Sequence, residues 1–486
     1  PERPMVVSGA GIGLPGGERV FGDDKLAGLL RGQQFIEPVP AGPRRRITQK
    51  HITRLVKSEA GGGRFETIDD EADVIKLAGR GAPLDLAAEF GFPEERIGSL
   101  DRASALAIGA GIEALRDAGI PLLMHYKDTT TGSKLPDRYM LPDAYRDTTG
   151  VIFASAFPGS NGLMEEVNRY GELQLAEARL AELRNLAERA EQLGAGGGIA
   201  TEIKERISDL EQELASADYT FNRKFLYRVV SFGHAQFAEY IGARGPNTQV
   251  NAACASTTQA VAIAEDWIRA GRCQRVIVIS GDDVTSDELL EWIGSGFLAM
   301  GAAATDEAIE DAALPFDRRR HGTILGMGAA AIVVEHPDSA AARCVGPIAE
   351  VLSAVTANSA FHGSRLDPAH ICEVMETLIS QMAFNKGFGA LLSKGVRQAA
   401  RVIGKGADQY AAHVKGLELS AYHTGSIMGT ALGYAISSRG GDYNNVYASL
   451  EYRWPKDLAS KAFGSPKAVD IRSPSGKGKL IRRAVL

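Results

Sequence analysis

The chain has 486 residues, of which 44% are hydrophobic and 23% are charged, and its formal net charge is −6. This length predicts two or three domains with a large core, and the slightly acidic balance argues against nucleic acid as an obligate partner. Four scattered cysteines without CxxC spacing argue against a disulfide framework and a metal knuckle. The same cysteine usage makes a reducing cytoplasm the expected location. No apolar run reaches the roughly 18 residues of a membrane span.

Buried strands and helices alternate over the first 383 residues. The opening segment PMVVSGAGIGLPGG predicts a strand and then a glycine-rich turn, without the later acidic residue that a nucleotide site needs. Residues 100–120 place alanine and leucine at helical spacing and predict a buried helix. The continuous apolar runs in TTGVIFASAFPG, QRVIVISGDDV and GMGAAAIVVEH are typical of strands covered on both faces. We therefore predict a layered α/β fold.

A different pattern fills residues 163–217. Leucine and isoleucine recur at three- and four-residue steps among Glu, Arg and Lys, on both sides of a GAGGG segment. This spacing predicts two amphipathic helices that form an antiparallel hairpin inserted in the α/β domain. Two interpretations stay open: a solvated insertion, and a coiled pair that binds a partner or dimerises.

The segment VNAACASTTQAVAIAEDW, residues 250–267, runs from a strand into an amphipathic helix and carries Cys254 near the first turn. Small residues around Cys254 allow a tight turn and the close approach of a substrate, and the positive end of a helix dipole favours a thiolate. This arrangement is similar to a nucleophile elbow. Cysteine is also among the most buried residue types, so a packing role is the alternative.

Several separated motifs resemble those of β-ketoacyl synthases, the condensing enzymes of fatty acid and polyketide synthesis that share the thiolase fold. GPNTQVNAACASTTQAVAIAEDWIRAGRCQRVIVISGDD resembles the active-site segment of that family, and LPFDRRRHGTILGMGAAAIVVE resembles a later element. SAFHGSRLDPAHICEVMETLI is similar to the stretch where the second half of the fold begins. The resemblance covers about residues 1–383 and implies a thiolase-like layered αβαβα fold with an incomplete second half.

The resemblance implies a chemistry for Cys254. This residue would take an acyl group as a thioester, and a malonyl-type extender would lose its carboxylate and attack that thioester. The family further implies an acyl carrier protein or acyl-CoA thioester as partner, a homodimer, and no cofactor. By position, Phe297 would gate the acyl tunnel, while Asp317 and Arg320 would order the loop behind the cysteine.

Histidines limit the expected activity. The family polarises the malonyl carbonyl with histidines in HGTGT-like and NKGHxxGH-like motifs, and a GFGGTN-like loop follows; none of these can be identified after Ala383. We expect His321 in a loop role, His362 among the tunnel or loop residues, and His423 in AYHTGSIMGTALG as the strongest candidate for a condensation histidine. The sequence therefore predicts acyl loading at Cys254 with an incomplete condensation machinery.

The tail, about residues 384–486, resembles a second family. GFGALLSKGVRQAARVIGKGADQYAAHVKGLELSAY, followed by GTALGYA and SSRGGD, resembles the aldehyde ferredoxin oxidoreductases, most closely the tungstopterin subunit of benzoyl-CoA reductase type. Such residues wrap a bis-pterin metal cofactor in that family, but this tail contains no cysteine for the family's iron–sulfur cluster.

Two families in one chain suggest a fused or mis-joined reading frame. A non-catalytic acyl-binding or carrier-docking module and a tungstopterin oxidoreductase fragment remain as alternative functions.

Overall fold

The computed structural model describes residues 3–57, 63–194, 197–216, 219–312, 314, 321–358, 360 and 367–385. Strands and helices alternate through this part of the chain, which confirms the α/β class. The strands are, in chain order, β1 (Met5–Gly13), β2 (Glu37–Pro38), β3 (Ile52–Lys57), β4 (Gly63–Ile68), β5 (Leu77–Gly79), β6 (Leu123–Asp128), β7 (Lys134–Met140), β8 (Thr149–Ala154), β9 (Asn247–Val250), β10 (Arg275–Asp283), β11 (Leu325–Glu335) and β12 (Ala349–Val351).

The helices of the same residues include both long and very short ones. They are α1 (Asp23–Leu30), α2 (Ala41–Thr48), α3 (Leu86–Phe90), α4 (Glu94–Ile97), α5 (Arg102–Asp117), α6 (Asp143–Arg146), α7 (Ser160–Gln192), α8 (Gly198–Ser216), α9 (Phe225–Val229), α10 (Gly233–Ile241), α11 (Ser256–Arg269), α12 (Asp287–Ala299), α13 (Pro337–Ala342) and α14 (Pro368–Asn385). A 3-10 helix spans Glu71–Asp73.

One large mixed sheet organises the described residues, with its main path in the order β12-β1-β11-β10-β8-β9. β8 runs parallel to both β9 and β10, whereas β11 is antiparallel to both β1 and β10. All six residues of β8 are buried, because helices cover both faces of the sheet. The apolar runs in the sequence predicted β8, β10 and β11, and the structure confirms these three strands.

The long helices α5 and α11 cover opposite faces of this sheet. Successive side chains of a strand point to opposite faces, so Ile277 of β10 joins α5 in one core while Val278 joins α11 in the other. α5 lies very close to the sheet, since a Cβ atom built on Gly9 would be 2.3 Å from the backbone oxygen of Ala114. The glycines of the opening strand therefore make room for α5, the helix that was predicted over 100–120.

The predicted helical hairpin is formed by α7 and α8, which have 33 and 19 residues and pack against each other. Ion pairs join the two helices at Arg184–Glu211 (2.7 Å) and Lys204–Glu191 (3.2 Å). Leu180 of α7 is buried, whereas none of the described residues of α8 is. The hairpin is therefore exposed over most of its surface. None of the helices in the described part of the chain is long and apolar enough to cross a membrane.

Two small two-stranded sheets, β3–β4 and β6–β7, were not predicted. Polar and apolar residues are mixed along both hairpins, and β7 contains Pro136, so neither segment has a clear hydrophobic period. Most residues of β6 and β7 are exposed or half-buried. These hairpins show where an α/β pattern alone fails to predict additional strands.

Candidate active site around Cys254

Cys254 lies in a turn between β9 and α11, just before the helix begins. Its side chain is exposed, whereas Cys273, which follows the other end of α11, is buried. The sequence predicted this position at the junction of a strand and a helix. In the described part of the chain the thiol of Cys254 is accessible. A nucleophile needs such access, whereas a cysteine with a packing role would be buried.

The turn that carries Cys254 consists of small residues and is held by one serine. Ala253 has a φ of 48°, in the left-handed region that residues other than glycine seldom adopt. Ser256 Oγ accepts a hydrogen bond from Ala252 N (2.9 Å) and donates one to Ala253 O (2.5 Å). A backbone hydrogen bond from Ala255 N to Ala252 O closes the same turn. A strained backbone beside a reactive side chain is typical of a nucleophile elbow.

Helix α11 directs its amino terminus toward this cysteine turn. Its residues Ala260, Ala264 and Ile268 are buried in the core on that face of the sheet, which fixes the helix direction. The dipole of a helix favours negative charge at its amino terminus. Negative charge develops on the carbonyl oxygen when a thiolate attacks a thioester, so this position suits acyl transfer.

Asp282, near the end of β10, supports the segment beside the cysteine turn. Its carboxylate accepts hydrogen bonds from Ser155 Oγ (2.7 Å), Ala156 N (2.9 Å) and Phe157 N (2.9 Å). Burial raises the pKa of this carboxyl, and the hydrogen bonds from these donors oppose the rise in part. Asn251, at the start of the turn, donates from Nδ2 to Ala156 O at 3.2 Å. The half-buried carboxylate of Asp282 is thereby connected to the cysteine turn through Ala156.

Phe297 lies in α12 and is half-buried. It packs against a buried apolar cluster that contains Leu289 and Leu298, and Phe157 packs against the same cluster. Because Phe157 N also donates to Asp282, this cluster and the support of the cysteine turn share a residue. The role of Phe297 as a gate of the acyl tunnel stays a prediction.

The other predicted site residues are placed only in part. Asp317, Arg320, His362 and His423 lie outside the described residues. His321 is described and exposed, and its Nε2 lies 2.5 Å from Asp306 Oδ2. The loop role expected for His321 stays a prediction.

Sequence reasoning missed Asp282 and Asn251. The acidic pair Asp282–Asp283 at the end of a buried strand was the available signal, because buried carboxylates need specific partners. Asp283 Oδ2 accepts a hydrogen bond from Arg102 Nε at 3.2 Å. No local pattern around Asn251 pointed to Ala156, which is 95 residues away in the chain.

The fold and the site together define a class of protein: an α/β sheet with a cysteine turn at the start of a helix that covers one of its faces. Among solved structures, the chain is similar to a β-ketoacyl synthase from Burkholderia phymatum STM815. The TM-score is 0.50 and the identity 16%, over 78% of this chain and 70% of that one. The chain therefore has a thiolase-like fold.

Two family models match the chain. Residues 173–340 match "Beta-ketoacyl synthase, N-terminal domain", and residues 369–485 match "Aldehyde ferredoxin oxidoreductase, domains 2 & 3". Both resemblances inferred from the sequence are thereby confirmed. The first range includes the cysteine turn, and the second begins within α14.

Curated relatives agree with the first of these matches. The chain is 32% identical over 122 residues to 3-oxoacyl-(acyl-carrier-protein) synthase 2 of Staphylococcus aureus, which is 25% of this chain and 29% of that protein. It is 30% identical over 196 residues to a protein of Streptomyces virginiae with the name polyketide beta-ketoacyl synthase 1, which is 40% of this chain and 45% of that protein. The chain thus spans less than half the length of these curated relatives.

Proposed function

We propose that this chain is an acyltransferase of the β-ketoacyl synthase type that carries its acyl group on Cys254. The observation that supports this most directly is the exposed thiol on a strained turn, just before the amino terminus of α11. The match of residues 173–340 to a β-ketoacyl synthase domain adds support, because that range includes the turn.

Acyl transfer begins with attack of the Cys254 thiolate on the carbonyl carbon of an acyl thioester, which moves the electron pair of the C=O bond onto oxygen. The backbone N–H of Cys254 would supply one half of the oxyanion hole that stabilises this negative charge. When the intermediate collapses, the bond to the carrier sulfur breaks. The carrier leaves as a thiolate and takes up a proton, and the acyl group remains on Cys254 as a thioester.

Condensation is the finer part of the proposal. A malonyl-type extender loses carbon dioxide, and the enolate attacks the Cys254 thioester, which forms a carbon–carbon bond and returns the free thiol. Phe297, Asp317, Arg320 and His362 are the candidates for the tunnel and its loop. His423 is the candidate that polarises the extender carbonyl, in a machinery that lacks the family's usual histidine motifs. The product belongs to fatty acid or polyketide synthesis.

The proposed acyl donors are an acyl carrier protein or an acyl-CoA. The Staphylococcus aureus relative supports the first, since its name includes the carrier protein. We also propose a homodimer. β9 lies at one end of the main sheet path within the described residues, and a strand at a sheet edge offers unpaired backbone groups to a second copy.

The experiment that tests the function is acylation of the full chain by octanoyl-CoA, followed by intact mass spectrometry and peptide mapping. The expected result is one octanoyl adduct on Cys254, absent in Cys254→Ala. Cys344→Ala is the matched control, because Cys344 is another exposed thiol. Failure to form an adduct at any pH would favour the non-catalytic acyl-binding or carrier-docking module, in which the α7–α8 hairpin engages the partner.

The match of residues 369–485 favours a second candidate, a tungstopterin oxidoreductase fragment. This range contains one cysteine, Cys372, whereas an iron–sulfur cluster is commonly held by about four thiolates. Among the residues that the structure describes, no group of three or more His, Cys, Asp or Glu could hold a metal ion. Elemental analysis of the purified chain tests this candidate, which requires tungsten, molybdenum or iron.

A further inference from the structure

Residues 155–159 form a short segment beside the cysteine turn, and Asp282 holds its first half. One side-chain hydroxyl and two backbone N–H groups of the segment donate to this half-buried carboxylate at distances between 2.7 and 2.9 Å. Three hydrogen bonds to Asp282 therefore hold this end of the segment.

Asp101, the N-cap of α5, holds the other end. One of its oxygens accepts a hydrogen bond from Gly159 N at 2.9 Å, and the other accepts from Ser231 Oγ and Ser104 N, each at 3.1 Å. Asp101 is 1% exposed and both serines are 0% exposed. A Cβ atom on Gly159 would lie 2.0 Å from Val229 O, so glycine is required at this contact. Two carboxylates, the buried one of Asp101 and the half-buried one of Asp282, thus hold the segment from opposite ends.

Asn251 joins this fixed segment to the cysteine turn, although its own side chain is exposed. Its Nδ2 donates to Ala156 O at 3.2 Å, and its Oδ1 accepts from Ala253 N at 3.1 Å. The second contact runs from a side chain to the backbone two residues further on, which is how asparagine shapes a turn. Ala253 has the positive φ and directly precedes Cys254. One amide therefore bends the turn and also anchors it.

We propose that Asn251 is a positioning residue for acyl transfer at Cys254. Its side-chain amide holds the cysteine turn against residues 155–159, so that the thiol stays at the amino terminus of α11. Asn251 does not touch the acyl group and acts through the backbone of the turn. The inference rests on the proposed function and adds to it the residue that sets the geometry of the nucleophile.

Asn161 allows a matched comparison. It bridges two groups in the same manner, since its Nδ2 donates to Asp283 O at 2.8 Å and its Oδ1 accepts from Ser286 Oγ at 3.0 Å. Neither of these two contacts involves a residue of the cysteine turn. Asn161→Ala therefore removes as many side-chain hydrogen bonds as Asn251→Ala, and from the same region, without releasing the turn.

The experiment is single-turnover acylation of the full chain by octanoyl-CoA at several concentrations. Asn251→Ala is expected to lower the saturating rate about tenfold, which corresponds to about 1.4 kcal/mol, and to leave the half-saturating concentration unchanged. Asn251→Asp keeps the acceptor oxygen and loses the N–H donor, so its saturating rate should fall about threefold. Asn161→Ala should stay within about twofold of the parent rate. Urea unfolding is the control for stability. We expect both alanine variants to lose stability to a similar extent, so that stability does not explain the difference between their acylation rates.

Two outcomes of the acylation experiment overturn the inference: a parent-like rate in Asn251→Ala, or an equal loss of rate in Asn161→Ala. Alkylation by iodoacetamide separates this inference from the proposed function, because it needs no acyl transfer, and Cys344 in the same sample is the reference. If the parent forms no acyl adduct, the proposed function fails on its own. Alkylation of Cys254 that is at least about threefold slower in Asn251→Ala, at a constant Cys344 rate, still supports the positioning role. An unchanged ratio of the Cys254 and Cys344 alkylation rates in Asn251→Ala overturns the positioning role.

Discussion

The two ends of helix α11 carry the same residue type in opposite surroundings. Cys254 lies just before the helix, on an exposed turn of small side chains. Cys273 follows the far end and is 6% exposed, within the apolar core beneath the helix. Burial raises the pKa of the Cys273 thiol to about 11, although a hydrogen bond from the Gly150 backbone and the charge of Arg275 oppose the rise.

Backbone geometry at each end of the helix, rather than the cysteine itself, produces this difference. At the amino end, alanines and a strained turn leave the thiol accessible beside the N–H groups of the helix. At the carboxyl end, the chain enters β10 in the middle of the sheet, where Arg275 and Arg343 meet the buried carboxylate of Glu335. Reactivity is therefore expected where the chain is open and strained, and stability where it is packed.

The largest expected effect is on acylation. Cys254→Ala should reduce the octanoyl adduct by more than about 1,000-fold, because the proposed thioester forms on that sulfur. Cys273→Ala should keep the adduct, because its sulfur is buried and un-ionised at neutral pH. Intact mass and peptide mapping measure both. An adduct that persists in Cys254→Ala and maps to Cys273 would reverse the comparison.

The packed region at the carboxyl end of α11 is tested by Glu335→Gln. This variant leaves Arg275 and Arg343 without the carboxylate that they share. Breaking a buried ion pair from one side should lower the free energy of unfolding by about 3 to 5 kcal/mol. Glu113→Gln is the control, since Glu113 pairs with a half-exposed Arg116 and should cost less than about 1 kcal/mol. Urea unfolding measures both variants. Equal losses in the two would show that the Glu335 end of the sheet is not a sensitive part of the core.

Alkylation compares the two thiols within one molecule. At pH 8 iodoacetamide should modify Cys254 at least about 100-fold faster than Cys273, since a pKa of about 11 leaves only about one Cys273 thiol in 1,000 ionised. The Cys273 rate should rise about tenfold per pH unit between about pH 8 and 10, because the thiolate fraction rises in that proportion below the pKa. Timed peptide mass spectrometry follows both sites. Similar rates at pH 8 would mean that the buried end opens readily.

The smallest expected effect concerns strain in the turn. Ala253→Gly should raise the free energy of unfolding by about 0.5 to 1 kcal/mol, because glycine adopts a positive φ without a Cβ clash. Ala264→Gly, in the middle of α11, should lower it by about 1 kcal/mol or more. Thermal unfolding of the two variants gives the signs. A loss in both would contradict the idea that the turn stores strain.

Local patterns predicted the elements that have one strong period. α5 follows from alanine and leucine at helical spacing, and β8, β10 and β11 follow from apolar runs that helices cover on both sides. The hairpins β3–β4 and β6–β7 lacked such a period and were missed. For the site, the pattern indicated Cys254. The contacts of Asp101, Asp282 and Asn251 with residues 155–159 were not recognised, because that segment is distant from all three in the chain.

By itself, the sequence determined that Cys254 stands at the junction of a strand and a helix, since small residues followed by apolar spacing specify a turn and then a helix locally. Only the tertiary structure decided that this thiol is open while Cys273 is buried, and that Asn251 reaches Ala156. The carboxylate that holds Ala156 comes from a residue 126 positions away. Such contacts depend on which strands become neighbours in the sheet, and the burial that decides each cysteine's character arises only when those strands and helices pack together.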